Sequence, residues 1–186
     1  MKKLSAYLFL ILFSFSAPSF ADDIRDFQIE GMSIGDSLLD YFSEEEIKEG
    51  IRDYYKDRKE KKFASADFFE STLFNTYDGA QISFKTNDQK YLIYGMSGMI
   101  EFSNNINECY KKRDEIVKEL SKIFKNIKKE TETKDDYEGV YTVTYFSFES
   151  GDFIQVACYD WVKESNNIDH LRIGMITNEF NEWLIE

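Results

Sequence analysis

Between Asn105 and Lys129 the apolar residues Ile106, Cys109, Tyr110, Ile116, Val117, Leu120, Ile123, Phe124 and Ile127 recur at helical spacing. They form one stripe of a long amphipathic helix, with lysines crowding its last turns, where the macrodipole favours them. On both sides of this helix the pattern switches to strands, from Phe63 to Phe102 and again from Val140 to Ile176. A helix with one apolar face must bury it against another layer, and the flanking strands supply that layer. The expected fold is α+β, with helices packed on one face of a mostly antiparallel sheet.

Punctuation along the chain refines this. A short helix is expected near Asp36 to Phe42. Ser43-Glu44-Glu45-Glu46 is a capping box that starts a second helix, running to about Tyr55 with Ile47, Ile51, Tyr54 and Tyr55 on one side. Lys56 to Lys62 reads as a solvated connection. Thr86-Asn87-Asp88-Gln89 turns a hairpin between Ala80–Lys85 and Tyr91–Tyr94, and Gly95 and Gly98 suggest a bulge or second turn in the continuing strand. Glu130 to Glu138 is polar and reads as a loop. Val140–Glu149 and Phe153–Trp161 are joined at Ser150-Gly151, a good hairpin signal, and Ile168–Ile176 follows. Asn178 to Ile185 closes the chain as a helix burying Phe180, Trp183 and Leu184. The hairpins starting at Ile82 and Phe146 look alike and each follows a helix start at nearly the same distance. This raises two αβ units in tandem, with a break near residue 104.

The N-terminus has the layout of a secretory signal peptide over residues 1–21. Lys2 and Lys3 precede an apolar run from Leu4 to Phe15, and Ser19-Phe20-Ala21 offers small residues for cleavage after Ala21. The run is too short for a bilayer span, and no later stretch is long and apolar enough for one. A periplasmic address follows as an expectation, with residues 22–186 forming a single domain. An aromatic content of 17% argues against disorder in that domain. The whole chain carries 23 basic and 35 acidic residues, a net charge of −12. Removing Lys2 and Lys3 leaves 21 against 35, or −14, a field that repels nucleic acid and anionic lipid.

Two cysteines, Cys109 and Cys158, stand too far apart in sequence for a redox dithiol motif. Cys109 lies on the apolar stripe of the long helix, and Cys158 is in step with Ile154 and Val156 on a strand. Both should face the helix–sheet layer, so a disulfide is expected in an oxidising compartment.

A screen for chemistry finds little. The single histidine, His170, precludes most metal and nucleophilic arrangements. Strand alternation places His170 and Arg172 opposite Leu171, Ile173 and Met175, and the simplest expectation is a surface histidine near Asp160 across the hairpin. Gly95-Met96-Ser97-Gly98 only brushes the nucleophile-elbow pattern. Neither catalytic nor metal-binding residues are assigned, and no nucleotide or dinucleotide fingerprint is present, so no cofactor is expected. The residue types that dominate protein interfaces do cluster, as Tyr159, Asp160, Trp161, His170 and Arg172.

The run Ile29-Glu30-Gly31-Met32-Ser33 with Leu38-Leu39 resembles the entry to small exported domains of the SmpA/OmlA type. Those, like the β-lactamase-inhibitor proteins, place two short helices ahead of antiparallel strands. The lipid-anchor cysteine of the SmpA/OmlA type is absent here. Tyr91-Leu92-Ile93-Tyr94, Asn107-Glu108-Cys109-Tyr110-Lys111-Lys112 and Ala157-Cys158-Tyr159-Asp160-Trp161 are similar to segments of an uncharacterised group of small exported proteins from AT-rich bacteria. That resemblance implies a periplasmic address and no particular activity. The expected function is a non-catalytic binding or adaptor protein with a protein partner. A small periplasmic hydrolase using His170 or paired carboxylates is the alternative. A concave, acidic surround for His170 would favour the hydrolase, and a flat exposed strand the binder.

Overall fold

A computed structural model describes residues 23–69, 71–103, 105–135 and 137–186. The proposed signal peptide lies outside these residues. Eight strands form one sheet: β1 (Ile51–Arg52), β2 (Phe63–Phe69), β3 (Gly79–Lys85), β4 (Ile93–Glu101), β5 (Lys128–Asp135), β6 (Gly139–Ser147), β7 (Phe153–Trp161) and β8 (His170–Ile176). Their order is β1-β2-β3-β4-β8-β7-β6-β5, and every pairing is antiparallel. The helices are α1 (Glu44–Gly50), α2 (Ile106–Ile123) and α3 (Asn178–Ile185). Helix α1 and four strands precede residue 102, while α2, four strands and α3 follow residue 105, and the two sets of strands meet at β4 and β8.

The strand register sorts the side chains into two faces. Ala66, Phe68, Ile82, Phe84, Met96, Leu171, Met175, Ile154, Val156, Cys158 and Phe146 all point one way and are buried in the main core. The apolar residues of α1 and α2 cover this helix face, chiefly Ile47, Cys109, Leu120 and the Phe124 just beyond α2. Cys109 and Cys158 meet there as a disulfide with Cα atoms 6.0 Å apart. Helix α3 lies on the opposite face. Phe180 and Trp183 pack on Phe63, whose neighbours in register point away from α1 and α2. The expectation that all helices share one face is thus corrected by α3. Asn178 to Ile185 can cap only the face that the other two leave free.

Three further expectations change. Helix α1 stops at Gly50, because Ile51 and Arg52 leave it to pair with Ala66 and Ser65 as β1. A side chain at Gly50 would press on the Asp67 carbonyl, 3.0 Å from its Cβ. Tyr54 and Tyr55 therefore do not extend the helix but cross to the open face. Helix α2 ends at Ile123, and the polar stretch expected as a loop is mostly the edge strand β5. Its eight residues are all exposed, so no apolar alternation marks it. Pairing with β6 and two threonine pairs, Thr131–Thr144 and Thr133–Thr142, hold it in place. Finally, the sheet order matches β3–β4 with β7–β8, one strand out of step with the sequence likeness to β6–β7.

Candidate functional site

The open face is read most easily as rows across the sheet. One row runs Lys134, Tyr141, Tyr159, His170, Glu101 over five strands. The next runs Glu132, Val143, Ala157, Arg172, Met99, Gly79, Phe69. The third includes Tyr145, Gln155, Gly174, Ser97, Gln81 and Asp67. Gly174 and Ser97 in the third row and Gly79 in the second leave the centre low beside the rings of the first row. The result is a groove of about 570 Å³ between Tyr54, Tyr55 and Phe69 on one side and Trp161 and Ile168 on the other, floored by Gln81, Met99 and Arg172.

Aromatic rings make one wall continuous. Tyr141 stacks on Tyr159 at 5.4 Å between centroids, Tyr159 on His170 at 4.8 Å and on Trp161 at 5.7 Å. Lys134 sits over Tyr141 at the outer end, and the Arg172 guanidinium lies 5.6 Å from the Tyr159 ring. Burial holds the Tyr159 phenol above its usual pKa, with the Arg172 charge opposing. Four of the five expected interface residues, Tyr159, Trp161, His170 and Arg172, come together here. Asp160 does not. It alternates to the helix face, where its charge helps raise the Tyr110 phenol pKa, after burial as the larger cause.

His170 is not the surface histidine expected. It is half-buried in the ring stack, opposite Glu101 on β4 and Tyr159 on β7. Its Nδ1 lies 2.8 Å from the Ile168 carbonyl oxygen, which can only accept, so Nδ1 carries the proton and neutral Nε2 presents a lone pair. Burial lowers its pKa, only partly offset by the Ile168 hydrogen bond. Among the described residues no hydroxyl, thiol or carboxylate hydrogen-bonds to the ring.

Opposite the aromatic wall, polar groups are paired. The Asp67 carboxylate accepts from Tyr54 Oη and Gln81 Nε2 (3.1 Å), and Arg52 stands 3.9 Å away. Burial, then this hydrogen bond, pushes the Tyr54 phenol up to about 12. Tyr54 and Tyr55 were unreadable from sequence as groove residues, because their helical spacing pointed to the other face. Four buried side-chain polar atoms lack a partner among the described residues: Arg113 Nη1, on α2, and Trp161 Nε1, His170 Nε2 and Arg172 Nε. Three of the four belong to this groove. No cluster of three metal-ligating side chains occurs among the described residues.

A second cavity, of about 80 Å³, lies under α2 and is lined by core residues such as Phe27, Ile116, Leu120 and Ile154. Glu30 at its rim already accepts the backbone N–H groups of Asn75, Thr76 and Tyr77. This space is part of the packing, whereas the groove concentrates the unpaired chemistry.

No family model, curated protein or solved structure matches the chain.

Proposed function

We propose that this is an exported, non-catalytic binding protein that grips a protein partner with the open face of its sheet. The observation that carries the reading is the continuous ladder Tyr141–Tyr159–His170–Trp161 beside a groove, on a face that α1 and α2 leave bare. Aromatic residues and arginine are the types that contribute most to protein interfaces. Two sets of four strands joined at β4 and β8 spread one broad surface, which suits this reading. Export rests on the signal pattern ending at Ala21 and on the cysteine pair. Immobilised protein with Tyr159→Ala and Trp161→Ala should lose its partner from a periplasmic extract, while Glu115→Ala, on exposed α2, should retain it. Equal capture by both would reject the assignment.

One observation favours a second reading. His170 sits in a concave groove with Asp78 and Glu101, the surround expected of a hydrolase. It makes no ion pair with either, and its Nδ1 is directed to a backbone carbonyl rather than an orienting carboxylate. Turnover of generic ester or glycoside substrates that disappears in both Glu101→Gln and His170→Gln would favour this alternative.

A further inference from the structure

Arg172 lies half-buried across the groove floor, its guanidinium against the Tyr159 ring and without an anionic partner. Its Nη1 reaches only the Gln81 amide oxygen and its Nη2 only the Met99 sulfur, both at 3.4 Å, and Nε has no acceptor. No carboxylate among the described residues forms an ion pair with it. A guanidinium offers five donors in a flat fork, and enclosing one without an anion is costly. Trp161 Nε1, on the neighbouring wall, is a second donor without an acceptor.

We infer that Arg172 is the anchor point for a carboxylate, an aspartate or glutamate side chain on an exposed loop of the partner. This rests on the open-face reading and names what that face selects. The fork geometry of arginine matches a carboxylate in a paired hydrogen bond, and the guanidinium now has only an amide oxygen and a sulfur as acceptors. Polyanions fit poorly, because the chain carries a net charge of −12. Asp78 and Glu101 line the same groove, so an isolated acid would meet like charge on entry. A loop in which the acid has a basic neighbour fits both features, placing the base against Asp78 and Glu101. The groove's open, aromatic-walled form suits a loop better than a free ion.

The test is a titration of ¹⁵N-labelled protein, following the Arg172 Nε–H and Trp161 Nε1–H resonances. The probes are N-acetyl-Lys-Glu-Gly-amide, its Gln counterpart, and acetate. The Glu peptide should move both resonances and saturate at about 1 mM, the range of a single anchor. The Gln peptide and acetate should bind at least tenfold more weakly, and Arg172→Gln should abolish the Trp161 shift. Equal shifts from Glu and Gln peptides would overturn the carboxylate assignment, and acetate matching the peptide would overturn the loop. Partner capture that survives Arg172→Gln but not Tyr159→Ala would remove the anchor while leaving the open-face reading intact.

Discussion

The open face is clamped around Phe63 at one end by α3, and over β6 to β8 it carries half-buried rings with no such clamp among the described residues. Over β2 to β4, Tyr55 meets Ser65 and the Trp183 ring, and Arg58 donates to the Trp183 and Leu184 carbonyls while stacking on Trp183. Phe180 and Trp183 then close over Phe63. Over β6 to β8 no helix among the described residues packs on Tyr141, Tyr145, Tyr159 and Phe153 in this way, and these rings stay half-buried. The helix face shows the reverse emphasis, because there the second half has the covalent tie between α2 and β7. Each half is clamped once, from opposite sides. Rings that are fully buried in one half contribute to stability, and the half-buried rings of the other half keep an edge available for contact.

The largest expected effect tests the covalent clamp. Replacing both cysteines, Cys109→Ser with Cys158→Ser, should cost about 4 kcal/mol by the loop-entropy argument. For a chain of this size that corresponds to a loss of about 10 °C in Tm, measurable by calorimetry. Next comes the non-covalent clamp. Trp183 is buried, and Trp183→Ala should cost about 3 kcal/mol and expose the Phe63 side of the sheet. Denaturant unfolding measures this, and a cost below about 1 kcal/mol would mean that α3 is not a clamp. The half-buried ladder should respond least. Tyr159→Ala removes three ring contacts from a half-buried stack and should lower stability by about 2 kcal/mol, while affecting partner capture far more.

The smallest effect concerns pH. The folded pKa of His170 lies below its unfolded value, so the unfolded state binds the proton more readily. Its contribution to stability is complete above the unfolded value of about 6.5 and declines as pH falls through that value toward the folded one. His170→Gln should flatten the slope of stability against pH in this window. A slope unchanged by the substitution would show that the ring is not enclosed by its neighbours.

Much of this architecture was legible because local signals agreed with the tertiary fold. The Ser43 capping box begins α1 where expected, with Ser43 Oγ accepting from Glu46 N and the Glu46 carboxylate accepting from Ser43 N. Helix α3 spans the expected Asn178–Ile185, and strand β7 the expected Phe153–Trp161. The cysteine pair followed from two periodicities converging on one layer. What could not be read depended on partners distant in sequence. Strand β5 is charged and wholly exposed, so only β6 reveals it as a strand. Tyr54 and Tyr55 fit a helical stripe until pairing of Ile51 and Arg52 with β2 pulls the chain out of the helix. The groove joins β2, β3, β4, β7 and β8, and its floor residues Gln81 and Arg172 are 91 positions apart. Asp160 was placed by proximity in sequence, although simple alternation from Tyr159 would have sent it to the other face.

The order of the strands has a consequence for how the molecule is made. Strand β8, the last of the eight in chain order, lies at the centre of the sheet, where it joins β4 to β7. A chain that emerges N-terminus first completes β4 long before its neighbour exists. Until residues 170–176 arrive, two partial sheets each present an unpaired edge, with Met96 and Ile100 on one and Ile154 and Val156 on the other. Such edges invite association with other chains, and pairing across a long sequence separation is slow. Assembly should therefore be late and cooperative, completed by the final strand, with α3 arriving behind it to lock the join at Gly95 through Phe180.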